Sequence, residues 1–125
     1  MHKSRLGFLV IDCEGGDIDA HAAFWAEALG RTVEATPKNP RYRRLEGGKQ
    51  DIGILVQMVD HTPRVHLDIE TDDVEGEVAR LEKLGAGIVS KLDGWTVMEA
   101  ASGHRFCVVK KQLPGFDETA AVWKD

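Results

Sequence analysis

A chain of 125 residues with a formal net charge of −5, 42% hydrophobic and 30% charged residues has the balance of an ordinary globular domain and the length to bury a core without covalent staples. Its two cysteines, Cys13 and Cys107, are too few for a disulfide framework, and no apolar run approaches the roughly 18 residues of a membrane span. The acidic balance argues against a nucleic-acid or anionic-membrane binder, and reduced thiols without a targeting segment point to one cytoplasmic domain over 1–125.

The first predicted element is a strand, Leu6 to Asp12, leading into Gly15-Gly16. These glycines suit a tight strand-to-helix turn; they lack the spacing of a phosphate loop. In the helix that follows, Ile18, Ala22, Trp25 and Leu29 fall on one apolar stripe, with Asp17 as cap and Gly30 as terminator. Trp25 is assigned to the core. Three strand-like runs come next, Arg31 to Ala35, Arg41 to Glu46 and Ile52 to Val59, punctuated by Pro37, Pro40 and Gly47-Gly48. Arg41, Arg43 and Arg44, with Lys38 and Lys49 nearby, read either as an anion-holding cluster or as a solvated strand edge that resists aggregation.

The same order then repeats. A strand spans Arg64 to Glu70, and a helix carries Val74, Val78, Leu81 and Leu84 on one face. Asp72 is its expected cap, with Glu75 at capping-box spacing, and Gly85 its terminator. Strands follow at Gly87 to Leu92, Trp95 to Ala100 and Arg105 to Lys110, with a hairpin signal at Asp93-Gly94. Asp12, Glu14 and Asp17 recur as Asp68, Glu70 and Asp73, 56 residues later. The predicted organisation is therefore α+β, βαβββ twice, with modules at about 6–59 and 64–110 and a tail at 111–125. The tail's Phe116, Val122 and Trp123 are expected to pack on the domain or on a partner subunit.

The segments Ala23-Phe24-Trp25-Ala26-Glu27-Ala28-Leu29-Gly30, His66-Leu67-Asp68-Ile69-Glu70-Thr71-Asp72-Asp73-Val74, Leu81-Glu82-Lys83-Leu84-Gly85-Ala86 and Gly103-His104-Arg105-Phe106-Cys107-Val108-Val109, in this order and spacing, resemble the vicinal oxygen chelate superfamily, which includes glyoxalases, bleomycin-resistance proteins and dioxygenases. Ile11-Asp12-Cys13 and Leu55-Val56-Gln57 look closest to its glyoxalase-like branch. The resemblance implies a cup-shaped mixed sheet with helices outside, a small-molecule cleft between two modules, and a homodimer. In metal-dependent members a divalent ion is held by residues of the first and last strands of each half, and acts by Lewis-acid polarisation or oxygen activation.

By that resemblance His66 stands at the second-half histidine ligand, but its repeat mate is Val10. The last-strand acid falls near Cys107, and the first-half counterpart is Leu55 or Gln57. One clear ligand of four remains, so no family-type metal or other cofactor is expected; were a divalent ion present, His66 would hold it first. Strand alternation gives a different constellation. His66, Asp68 and Asp12 face the cleft over an apolar floor of Phe8 and Val10, while Val65, Leu67 and Ile69 turn toward the helices. His66 between carboxylates suits a general acid or base, the group could orient a ligand or form a non-standard metal site, and the aspartates could equally cap loops or pair with arginines. Gln57 reads as a ligand donor or a plain strand residue, Trp95 as a stacking platform or core cover, and Cys107 as a buried small hydrophobe rather than a nucleophile.

Three functions follow from this reading. The first is a glyoxalase-like binder of a small organic molecule without the complete metal site, contacting it through Phe8, Val10, Asp12, Gln57, His66, Asp68, Trp95 and Cys107. The second is a lyase, isomerase or dioxygenase-type enzyme in which His66 is catalytic. The third is a non-catalytic dimerisation or interaction module.

Overall fold

The structure, a computed structural model, describes residues 1–48 and 51–124; Lys49 of the basic cluster lies outside them. The described residues form nine strands and three helices. They group into two compact units, Phe8–Val65 and Met1–Gly7 with His66–Asp125, so the long first strand, β1 (His2–Glu14), contributes to both.

The Phe8–Val65 unit holds the C-terminal part of β1, α1 (Ile18–Leu29), β2 (Thr32–Val33), β3 (Tyr42–Glu46) and β4 (Gly53–Val59). The strand order is β2-β3-β4-β1, with β4 parallel to β1 and β3 antiparallel to its neighbours. A helical crossover is what lets β1 and β4 run parallel. Alternate β1 residues Ile11 and Cys13 meet Ala22 and Ala26 of α1 and Leu45, Ile54 and Val56 of β3 and β4 in one core, with Trp25 packed against it. The helix stripe is narrower than the sequence suggests: Leu29 is exposed and small alanines make the contact. Asp17 caps α1 through the amide of Asp19, and Gly30 ends it in the left-handed region at φ 69°. Strand β2 keeps two of its five predicted residues, ahead of Pro37, which has no amide to donate.

The second unit repeats the plan with β5 (Arg64–Thr71), α2 (Val74–Lys83), β6 (Gly87–Leu92), β7 (Trp95–Glu99) and β8 (Arg105–Lys110). Its order, β5-β8-β7-β6, is that of β1-β4-β3-β2, and β5 and β8 are again parallel. The duplication expected from sequence is thus present as a duplication of topology. Val78 and Leu81 of α2 pack on Met98 and Val108, with Ile69 and Phe106 against them. The cap of α2 is Asp73, not Asp72: the Asp73 carboxylate accepts from the Gly76 amide at 3.0 Å. Any Cβ at position 76 would press on that carboxylate, which accounts for a glycine inside a helix. Asp72 instead accepts the Lys3 amide at 2.8 Å.

The chain ends fold onto this second unit. After β8 come a one-turn helix, α3 (Phe116–Thr119), and β9 (Ala121–Trp123), which pairs antiparallel with His2–Ser4. Two carboxylates with no exposed surface anchor the arrangement. Glu70 accepts from Arg5 Nε at 2.6 Å and from the Gln112 amide at 3.0 Å. Glu77 accepts from Arg80 Nε and Nη2, both at 2.9 Å, and lies 2.8 Å from His2 Nε2. Arg80 stacks on the Trp123 ring, 3.8 Å from its centroid, and the indole N–H donates to Ser4 Oγ. Phe116 is buried beneath Arg5 and Lys111. Two of the tail's three large apolar groups are therefore used within the chain; Val122 is exposed.

Candidate functional site

Parallel pairing of β5 with β8 sets Asp68 opposite Cys107. His66, two residues before Asp68, projects to the same side of β5. The three side chains converge: one imidazole nitrogen, one carboxylate oxygen and the thiol sulfur all lie within 4.8 Å of one another. His66 Nε2 is 3.4 Å from Asp68 Oδ1, an ion-pair distance without hydrogen-bond geometry. Asp68 is 8% exposed, and its Oδ1 is shut off from solvent with no hydrogen-bond partner among the described residues. Leaving such an oxygen unsatisfied costs about 1–3 kcal/mol or more, so this position favours a donor or a cation brought in from outside.

The Phe8–Val65 unit shows what the same positions hold in the other copy. There Asp12 lies opposite Gln57, as Asp68 lies opposite Cys107, so Gln57 and not Leu55 is the counterpart of Cys107. The equivalent triad is Val10, Asp12 and Gln57, with neither imidazole nor thiol. Phe8 and Val10 are 0% and 1% exposed, and the Arg44 guanidinium sits 5.3 Å from the Phe8 ring centroid. Asp12 is buried, with Arg64 Nε 3.9 Å from its Oδ2. Arg43 bonds Asp19 at 2.9 Å, so two of the clustered arginines are engaged within the unit. Cys13 faces the core; burial, reinforced by the neighbouring Asp12 carboxylate, pushes its thiol pKa up and keeps it unreactive.

Two other sequence expectations change. Val65 and Leu67 are 56% and 43% exposed; of the alternate residues expected to face the helix, only Ile69 packs against the core that α2 closes. Trp95 is 41% exposed at the start of β7, opposite Val109, and so does not serve as core cover. The buried acids Glu70 and Glu77 escaped the sequence reading as anchors. The available signal was Glu77 itself, an acid between Val74, Val78 and Leu81 on the apolar side of an amphipathic helix.

A divalent ion of the superfamily type can be tested against these donors. Imidazole, carboxylate and thiolate together suit a borderline ion such as zinc, whereas hard cations seek all-oxygen shells. The group in the second unit fits the former and not the latter. Val10 and Leu55 of the first unit offer no donor atoms.

The sequence matches the glyoxalase-like domain family over residues 8–109. No curated protein matches it in sequence. Among solved structures, it is similar to the hypothetical protein BH1468 from Bacillus halodurans C-125, at TM-score 0.65 and 13% identity over 87% of this chain and 95% of that one. It is also similar to a Streptomyces coelicolor methylmalonyl-CoA epimerase in complex with 2-nitronate-propionyl-CoA, at TM-score 0.61 and 18% identity over 86% and 96% of the two chains. A homoprotocatechuate 2,3-dioxygenase from B. fuscum matches at TM-score 0.59 and 13% identity, over 86% of this chain and 32% of that one. At these identities the structures establish a shared fold alone. Family match, duplicated topology and neighbours agree, and the chain belongs to the glyoxalase-like domain family of the vicinal oxygen chelate superfamily.

Proposed function

We propose that this protein binds a small organic molecule whose polar end is held by His66, Asp68 and Cys107. The observation that carries the reading is the buried Asp68 oxygen without a hydrogen bond, set beside an imidazole and a thiol. A ligand hydroxyl or protonated group would satisfy that oxygen, and His66 would orient a ligand oxygen. Trp95, exposed on the adjacent β7, offers an aromatic face for an apolar part of the ligand.

A thermal-shift screen of small oxygenated acids, carbonyl compounds and thioesters tests this. A ligand at a hundredfold excess over its Kd adds about 2.7 kcal/mol, a rise of roughly 10 °C for a domain of this size. His66→Ala should fold with an unchanged circular-dichroism spectrum and lose most of that rise. A screen without any stabilising compound, or a binder indifferent to His66→Ala, would count against the reading.

The 3.4 Å spacing of His66 and Asp68 also favours a second reading, a lyase or isomerase-type enzyme in which Asp68 orients His66 for proton transfer. Exchange of a substrate's acidic C–H with deuterated solvent, abolished in His66→Gln, would distinguish catalysis from binding.

A further inference from the structure

We infer that Cys107 is a nucleophile, served by His66 as its base, that adds covalently to small α,β-unsaturated carbonyl compounds. The inference rests on the small-molecule reading for the use of His66 and Asp68, and adds to it a class of ligand and a bond. What carries it is the meeting of a thiol and an imidazole in one module only. Cys107 Sγ, an imidazole nitrogen of His66 and a carboxylate oxygen of Asp68 all lie within 4.8 Å of one another. A change of side-chain rotamer brings thiol and base into contact from there, and unliganded sites commonly hold such pairs more loosely than reacting ones. The other module keeps its acid, Asp12, but has Val10 and Gln57 where His66 and Cys107 stand, so it holds neither base nor nucleophile at those positions. Nor is Cys107 the buried small hydrophobe expected from the sequence: it is half-buried, whereas Cys13 lies in the core.

The step creates no net charge. Proton transfer from thiol to imidazole gives a thiolate beside an imidazolium, and the Asp68 carboxylate, 3.4 Å from His66 Nε2, favours the imidazolium. The sulfur lone pair then bonds the β-carbon of the ligand, the C=C π pair moves into an enolate, and the imidazolium returns the proton to the α-carbon. Nothing leaves, and the product is a saturated carbonyl thioether. Strand pairing favours this addition over acyl transfer. Cys107 lies between Asp68 of β5 and Val97 of β7, so the amides around it are spent in the sheet and offer no oxyanion hole to a tetrahedral intermediate. Val97 opposite Cys107 and Trp95 opposite Val109 share its side of the sheet and give the ligand a hydrocarbon surface.

The test is incubation of the full chain with 2-cyclohexen-1-one, followed by intact mass and peptide mapping. Expected is one adduct carrying the whole mass of the reagent, on Cys107 and not on Cys13. It should form about a hundredfold faster than in His66→Gln, the lower end of what a positioned base contributes. The pH profile separates a base from a merely structural residue. The His66→Gln rate should fall about tenfold per pH unit below the ordinary thiol pKa of about 8.5, while the wild-type rate changes much less between about pH 8 and pH 7. If His66→Gln fails to fold, the wild-type profile alone decides. Equal labelling of both cysteines, a His66→Gln rate and profile matching the wild type, or no adduct at all overturns the inference. No adduct, alongside a compound that raises the melting temperature through His66, would defeat the nucleophile and leave the binding reading standing. A His66-dependent adduct on Cys107 without any reversible binder would do the reverse.

Discussion

Glu77 shows how much a single buried side chain can govern. It has no exposed surface, and burial alone would raise its pKa; hydrogen bonds with Arg80, Ser4 and His2 outweigh that and hold the carboxyl below the usual glutamate range. The same pairing raises Arg80. As pH falls, the unfolded chain takes up the proton first, so the stabilisation is present above the ordinary glutamate pKa of about 4.3 and is lost as pH drops through the lower folded value. Glu77→Ala should cost about 3–5 kcal/mol at neutral pH, since it removes the fully buried carboxylate partner of the half-buried Arg80 guanidinium. Denaturant melts should show the gap between the two proteins narrowing below about pH 4. A gap that is constant from neutral pH to pH 3 would mean that the carboxylate's charge does not contribute. The candidate site was partly legible at this scale: His66 and Asp68 follow from alternation along a strand, but the meeting with Cys107 needed the register of two strands nearly 40 positions apart in sequence.

Elements with strong local signals were read closely. β6, β7 and β8 fall within a residue of their predicted bounds because Asp93-Gly94 and Ser102-Gly103 punctuate them, with Gly94 and Gly103 at φ 93° and 90°. The chain ends were harder to read. Residues 2–5 fall ahead of the predicted strand Leu6 to Asp12, and Phe116 to Trp123 within the predicted tail, because what makes each of them regular is the other: β9 exists by pairing with His2–Ser4. Removing residues 112–125 takes the Gln112 and Leu113 amides from Glu70 and the indole from Arg80. Hydrogen bonds to a charged group contribute about 1.5–3 kcal/mol each, so the truncated chain should lose roughly 3–5 kcal/mol, a large part of a domain's 5–15 kcal/mol. Calorimetry checks this, and an unchanged melting temperature would show the tail to be a passenger.

The whole molecule is one topological plan used twice with unequal chemistry. Both copies show the same strand order, parallel closing strands and an acid on the opening strand, which is why the duplication could be seen in sequence through Asp12 and Asp68. Pattern matching could not show which copy brings an imidazole and a thiol together beside its acid. That depends on strand register, which sets His66 and Cys107 where Val10 and Gln57 stand in the first copy. The family match places the fold, while the site has to be argued from these side chains.

The central claim is that a ligand engages the imidazole of His66. The chain has five histidines, and proton–nitrogen NMR of histidine-labelled protein follows their rings individually. On addition of a compound selected by thermal shift, the account predicts that the His66 ring resonances move in step with occupancy while those of His21, His61 and His104 stay in place. A saturating ligand that leaves the His66 ring unmoved would contradict it.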